Sequence, residues 1–158
     1  MISYRVPETG RRDRGDGSAY TLADALRARS FSVFLAERNT GGGDIWHDTI
    51  QAAVEHCKAF VAVCSPTYGD SEQSQWTKAE AVLATECRKK IIPVWHSGPY
   101  PPAGLRLAFT SLHALPSTPD GQDMQDGYRA AGISDAHVAD ELVATLLRVG
   151  VVPSGGGQ

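Results

Sequence analysis

The run Ala59-Phe-Val-Ala-Val-Cys64 constrains this chain more than any other stretch. It carries no charged or strongly polar side chain, and Ser65-Pro-Thr-Tyr-Gly-Asp70 and a helically spaced segment follow it directly. It reads as a buried strand feeding a loop and then a helix. Other apolar runs rich in β-branched residues alternate with helically periodic segments, the pattern of βαβ units around a parallel sheet. Strands are expected at Met1–Tyr4, Phe31–Leu35, Ala59–Cys64, Ile91–Trp95 and Leu112–Leu115, and helices near 19–29, 45–58, 75–89 and 135–149. The expected fold is therefore α/β, a five-stranded doubly wound parallel sheet with helices on both faces.

Spacing supports the helices. Trp46, Ile50, Ala53, Val54 and Cys57 form one apolar stripe, and Val138, Leu142, Val143, Leu146 and Leu147 form another. Ser74 and Ser134 stand where N-caps belong. Pro99, Pro101, Pro102, Pro116 and Pro119 punctuate an irregular region between 96 and 130. At 158 residues there is chain enough for one domain, expected over 1–150, with 151–158 a flexible tail or the start of a linker.

Composition removes several classes of function. Charged residues at 21% and hydrophobic ones at 42% describe a folded soluble protein, and a net charge of −3 without a basic stripe argues against nucleic acid and anionic membrane as partners. No apolar run is long enough to span a bilayer, and no signal peptide is visible. Cys57, Cys64 and Cys87 show no CxxC or ligand spacing and read as reduced core thiols of a cytoplasmic protein. The five histidines are scattered without metal-site spacing, so no metal is expected.

In an open parallel sheet the crevice beyond the carboxyl ends of the strands is where ligands bind. A phospho-receiver would need an aspartate at the end of the third strand, where Cys64-Ser65 stands. A cysteine phosphatase would need an arginine six residues after Cys64, and Asp70 is there instead. No GxGxxG or Walker-type motif follows any strand, and Gly41-Gly42-Gly43 alone is weak evidence for a phosphate cradle. The helix after Ser65–Asp70 offers Trp76 and Glu80, four residues apart and on one side: an aromatic wall beside a carboxylate.

In order along the chain, Ile2-Ser-Tyr-Arg5, Val33-Phe-Leu35, Gly43-Asp-Ile-Trp46, Ile50 to Cys57, Ser65-Pro-Thr-Tyr68 and Trp76-Thr-Lys-Ala-Glu80 resemble the landmarks of a Toll/interleukin-1 receptor (TIR) domain over about residues 1–115. The resemblance implies a flavodoxin-like fold and one of two functions. Some members assemble signalling complexes through TIR–TIR contacts alone. Others cleave NAD, and these carry a glutamate on the third helix, four residues after an aromatic or a cysteine, as Trp76 and Glu80 stand here. The resemblance thus implies an NAD glycohydrolase of immune or cell-death signalling, giving nicotinamide and either ADP-ribose or a cyclic isomer. NAD would be substrate, with no separate cofactor.

By the same resemblance Glu80 is the catalytic residue, and Tyr4, Arg5, Glu37, Trp46 and Trp76 line the substrate site. Relatives carry an acidic residue at the end of the second strand; here Ala36 stands there, with Glu37 beside it. Arg5, placed to meet a diphosphate, could instead pair with Glu8 or Asp44. A start inside the first strand leads us to expect further domains outside this chain, and the family's self-association is expected to involve the loop from Glu37 to Trp46.

Overall fold

A computed structural model describes residues 1–11, 15–35, 46–118 and 124–155, apart from the side chains of Trp46 and His47. The segment singled out by its composition is the central strand, β2 (Ala59–Cys64), and all six of its residues are buried. Strand pleating sends alternate side chains to opposite faces. Ala59, Val61 and Val63 accordingly enter one core, while Phe60, Ala62 and Cys64 enter a second. A strand covered by helices on both faces must be apolar throughout, which is why this run could not alternate.

Parallel strands flank it on both sides: β1 (Ile2–Ser3), with Ile2 opposite Val61, and β3 (Lys90–Trp95), with Phe60 opposite Ile91. The described sheet is thus three-stranded, in the order β1-β2-β3. Five strands were expected. The outer two survive as single parallel bridges, Ile2 to Leu35 and Val94 to Leu115. One cause is the shortness of β1, which gives Phe31–Leu35 little to pair with. At the other edge Pro116 follows Leu115 and has no N–H to extend the ladder.

The helices are α1 (Val6–Thr9), α2 (Ser18–Ala28), α3 (Trp46–His56), α4 (Gln75–Glu86), α5 (Arg106–Phe109) and α6 (Asp135–Arg148), with a 3-10 turn at Ala103–Leu105 leading into α5. Helices α2 and α6 cover one face through Leu22, Leu26, Val138, Leu142 and Leu146. Helices α3 and α4 cover the other through Ile50, Val54, Ala81 and Ala84. Each fully buried aliphatic side chain contributes roughly 1.5–3 kcal/mol, so a charge at Val63 or Leu142 would break its layer.

The four long helices lie within a few residues of their expected places. Ser134 caps α6 by accepting from the His137 amide, whereas Ser74 turns its hydroxyl to Thr77 Oγ1 instead of to a backbone amide. Helix α1 and the 103–109 turns were not expected; α1 is marked only by Pro7 in its first turn. At the far end, Val151 packs against the first core and the Ser154 amide donates to Ser30 O.

Candidate active site

The alternation of β1 decides what stands at the end of the sheet. Ile2 and Tyr4 point into the α2/α6 core, so Ser3 between them points to the α3/α4 side. There it meets Glu80, on the inward face of α4 with Thr77, Ala81 and Ala84. Glu80 is 4% exposed. Ser3 Oγ donates to Glu80 Oε2 at 2.5 Å, and the Tyr68 hydroxyl donates to Ser3 Oγ at 2.8 Å. Both donors are neutral, and no cation is recorded pairing with this carboxylate among the described residues.

Burial therefore dominates the charge state of Glu80. Desolvation penalises the carboxylate and pushes its pKa up to about 7, against the opposing pull of the Ser3 hydrogen bond. Tyr68, also buried, is driven well above the ordinary phenol range, first by desolvation and further by its buried neighbours Cys64 and Glu80. It therefore remains a neutral donor. Burial likewise raises Cys64, which makes it an inert core thiol and a poor nucleophile.

The loop from Ser65 to Asp70 is held rigidly over this chain of hydroxyls. The Gly69 amide donates to Thr77 Oγ1 at 2.8 Å, and Asp70 Oδ1 accepts from the Glu72 and Gln73 amides, turning the chain into α4. Gly69 has φ 74, and an added Cβ would lie 2.5 Å from Leu105 Cδ1, so both conformation and space require glycine. On the other side of the loop, Glu8 accepts from Ser65 Oγ at 2.7 Å, Thr67 Oγ1 at 2.8 Å and the Thr67 amide at 3.1 Å. Arg5 Nε lies 3.8 Å from the same carboxylate.

The sequence candidates divide accordingly. Glu80 lies at the crevice, Trp76 is half-buried one turn before it, and Arg5 stands beside Glu8 near Ser65 and Thr67. Tyr4 is in the opposite layer, with its ring edge-on to Tyr20. Glu37 and Asp44 lie outside the described residues; Trp46 opens α3, but its side chain is not described. Sequence reasoning quoted Ser3, Thr67 and Tyr68 only as parts of landmarks, without a role of their own, and named Glu8 only as a possible partner of Arg5, beside which it stands. The signal for Ser3 was present: it is the polar member of an otherwise apolar strand, one residue out of phase with Tyr4.

A second polar cluster closes the same end of the sheet on the α2/α6 side. His96 Nε2 lies 2.5 Å from Asp16 Oδ2, and Arg129 pairs with both Asp16 and Asp135. The Tyr128 hydroxyl donates to Asp135. Burial opposes the charge on Asp16, yet hydrogen bonds from His96 and Ser18 hold its carboxyl well below the usual range. Among the described residues no group of His, Cys, Asp or Glu has the arrangement of a metal site, and no helix is long and apolar enough to cross a membrane.

Comparison with known proteins places this geometry in context. A family model described as the TIR domain matches residues 1–130. A probable 2′ cyclic ADP-D-ribose synthase of Brachypodium distachyon, BdTIR, is 33% identical over 78 residues, which is 49% of this chain and 34% of that protein. A stimulator of interferon genes protein of Magallana gigas is 31% identical over 74 residues, 47% of this chain and 17% of its own length. The chain thus spans about a third or less of either relative.

Proposed function

The chain belongs to the TIR domain family, and from that premise we propose that it cleaves the nicotinamide–ribose bond of NAD. The observation that carries the reading is Glu80: a carboxylate 4% exposed, at the carboxyl end of the sheet, held by the Ser3 hydroxyl and with no cationic partner among the described residues. A structural carboxylate in such a position is better served by a cation or by solvent. A carboxylate that must meet a cation arriving with a ligand gains from being kept dry and unneutralised. The name of the Brachypodium relative, a synthase of a cyclic ADP-ribose, is consistent with this chemistry.

The reaction needs few groups. Nicotinamide leaves a cationic pyridinium as a neutral base, so no general acid has to protonate it, unlike the leaving group of an ordinary glycoside. Positive charge then develops on the ribose, and ionised Glu80 stabilises it while accepting from the ribose hydroxyls. Ser3 fixes the carboxylate and, through Tyr68, is itself fixed. Trp76 offers a flat face one turn away, and Arg5 offers its guanidinium to the diphosphate. Water or a hydroxyl of the same ADP-ribose completes the reaction, giving a linear or a cyclic product.

Incubation with NAD followed by chromatography for nicotinamide tests the reading. Release by the wild type and its loss in Glu80→Ala are expected; equal consumption by both proteins overturns the assignment.

Self-association without catalysis is the second reading, and the sparsely paired edge of the sheet beside β3 favours it. A groove of about 710 Å³ runs between β3, residues 111–117 and α6, lined by Lys90, Ile92, His113 and Arg148 among others. Among the described residues the sheet is paired there by the single bridge of Val94 and Leu115. This reading expects association that deepens with protein concentration, followed by sedimentation, from a protein that releases no nicotinamide from NAD. A protein that stays monomeric across the dilution series overturns it.

A further inference from the structure

The loop that carries Tyr68 toward Glu80 holds a second carboxylate on its other side, in surroundings of the opposite kind. Glu8 is met by two hydroxyls, Ser65 Oγ and Thr67 Oγ1, and by the Thr67 amide, which lies 3.1 Å from Oε1 and 3.3 Å from Oε2. Arg5 Nε, 3.8 Å away, is buried and makes no hydrogen bond. Every one of these groups is a donor. Two hydroxyls, a backbone N–H and a guanidinium converging at one point form a receptor for an oxyanion. The anion filling it is borne by α1, one helical turn whose Glu8 and Thr9 amides are both satisfied by Arg5 O.

We infer that Ser65, Thr67 and Arg5 form a subsite for the phosphate oxygens of a diphosphate, and that Glu8 occupies it as an internal stand-in which the ligand must displace. The inference rests on the proposed NAD chemistry only for the identity of the ligand: Thr67 at Glu8 and Tyr68 at Ser3 are consecutive, so one loop faces both groups, and a diphosphate attached to a ribose at Glu80 would meet the cradle there. A carboxylate and a phosphate present similar oxygens, and the cradle has too few donors for both. The arrangement makes the resting domain self-capped. Arg5 Nε, unsatisfied at 3.8 Å from Glu8, is the donor with most to gain when a larger anion takes the place.

Binding of inorganic pyrophosphate to the whole chain, followed by isothermal titration calorimetry, is the test. Glu8→Ala is expected to bind about tenfold more tightly than wild type, because a tethered competitor of high effective concentration is gone. Adding Thr67→Val should return the affinity to the wild-type level. Should Glu8→Ala melt too early to use, Glu8→Gln keeps an acceptor oxygen for the loop and removes the charge, with a gain of about threefold expected. Asp70→Asn controls for the field alone: that carboxylate acts on Arg5 electrostatically but is bonded to the Glu72 and Gln73 amides, and its loss should change affinity less than about twofold. Folded Glu8 variants that bind no more tightly, or an equal gain from Asp70→Asn, would overturn the inference. Gain in pyrophosphate affinity by a protein that releases no nicotinamide from NAD would leave the subsite standing and defeat the enzymatic reading. Nicotinamide release without the gain would do the reverse.

Discussion

Glu80 and Asp16 stand at the same end of one sheet, on opposite faces, and differ in what surrounds them. Asp16 is bonded to His96 and Ser18 and lies 3.6 Å from Arg129, so its charge is answered locally and its pKa is depressed. Among the described residues Glu80 accepts from the Ser3 hydroxyl alone, and burial raises it to about 7. The Asp16 cluster ties the loop before α2 to the end of β3 and to residues before α6. Among the described residues no ion pair is made through Glu80; Ser3 and Tyr68 could be satisfied by a neutral acceptor. One acid is part of the scaffold, and the other is held ready for something that comes from outside.

The largest effect that would break this contrast is on turnover. Glu80→Ala is predicted to lower nicotinamide release roughly a thousandfold, about 4 kcal/mol of transition-state stabilisation, with thermal melting showing an intact fold. Activity that survives in the folded variant would put Glu80 among the structural acids.

Next in size is the pH dependence of stability. Glu80 binds its proton more tightly folded, at about 7, than unfolded, at 4.5. Its contribution to stability is therefore fully present below pH 4.5 and is lost as pH rises through 7. Glu80→Gln, neutral throughout, should gain on the wild type by about 3 kcal/mol between pH 4.5 and 8 in denaturant titrations. Asp16 must show the opposite sign, contributing above its unfolded pKa and losing that contribution as pH falls. Parallel stability curves for Glu80→Gln and wild type would erase the distinction.

Ser3→Ala sharpens it. Loss of the one hydrogen bond that favours the carboxylate should move the rise of kcat/KM to higher pH and lower turnover at pH 7 about tenfold. A uniform loss of activity with an unmoved profile would mean that Ser3 only packs.

The smallest expected effect belongs to the scaffold side. His96→Ala should cost about 1–2 kcal/mol of stability by leaving Asp16 short of a partner, while NAD turnover per folded molecule stays at the wild-type level. Turnover that falls with no loss of stability would bring the second cluster into the function.

Much of the fold was legible because it follows from periodicity. A six-residue run without strongly polar side chains, helical stripes and N-caps placed β2, β3, α2, α3, α4 and α6 within a few residues of where they stand. The two edge strands are present among the described residues as single bridges: an edge is decided by what its neighbour offers, and β1 is two residues long. Helix α1 was invisible because four residues give no periodicity, and its Glu8 is held by a loop 57 residues away.

For the site, the sequence by itself determined that Trp76 and Glu80 share a helix face after the central strand, since 3.6 residues per turn leaves no other arrangement. Which residues would meet them it did not determine. Tyr4 was the evident aromatic of the expected first strand, yet strand pleating combined with the position of the cores turned it to the far layer and presented Ser3 instead. The raised pKa of Glu80 and the capture of Glu8 by Ser65 and Thr67 depend on contacts across 77 and 57 residues. Local spacing fixes which side chains share a face; how dry a carboxylate becomes, and which donors surround it, arises only when distant segments exclude water together.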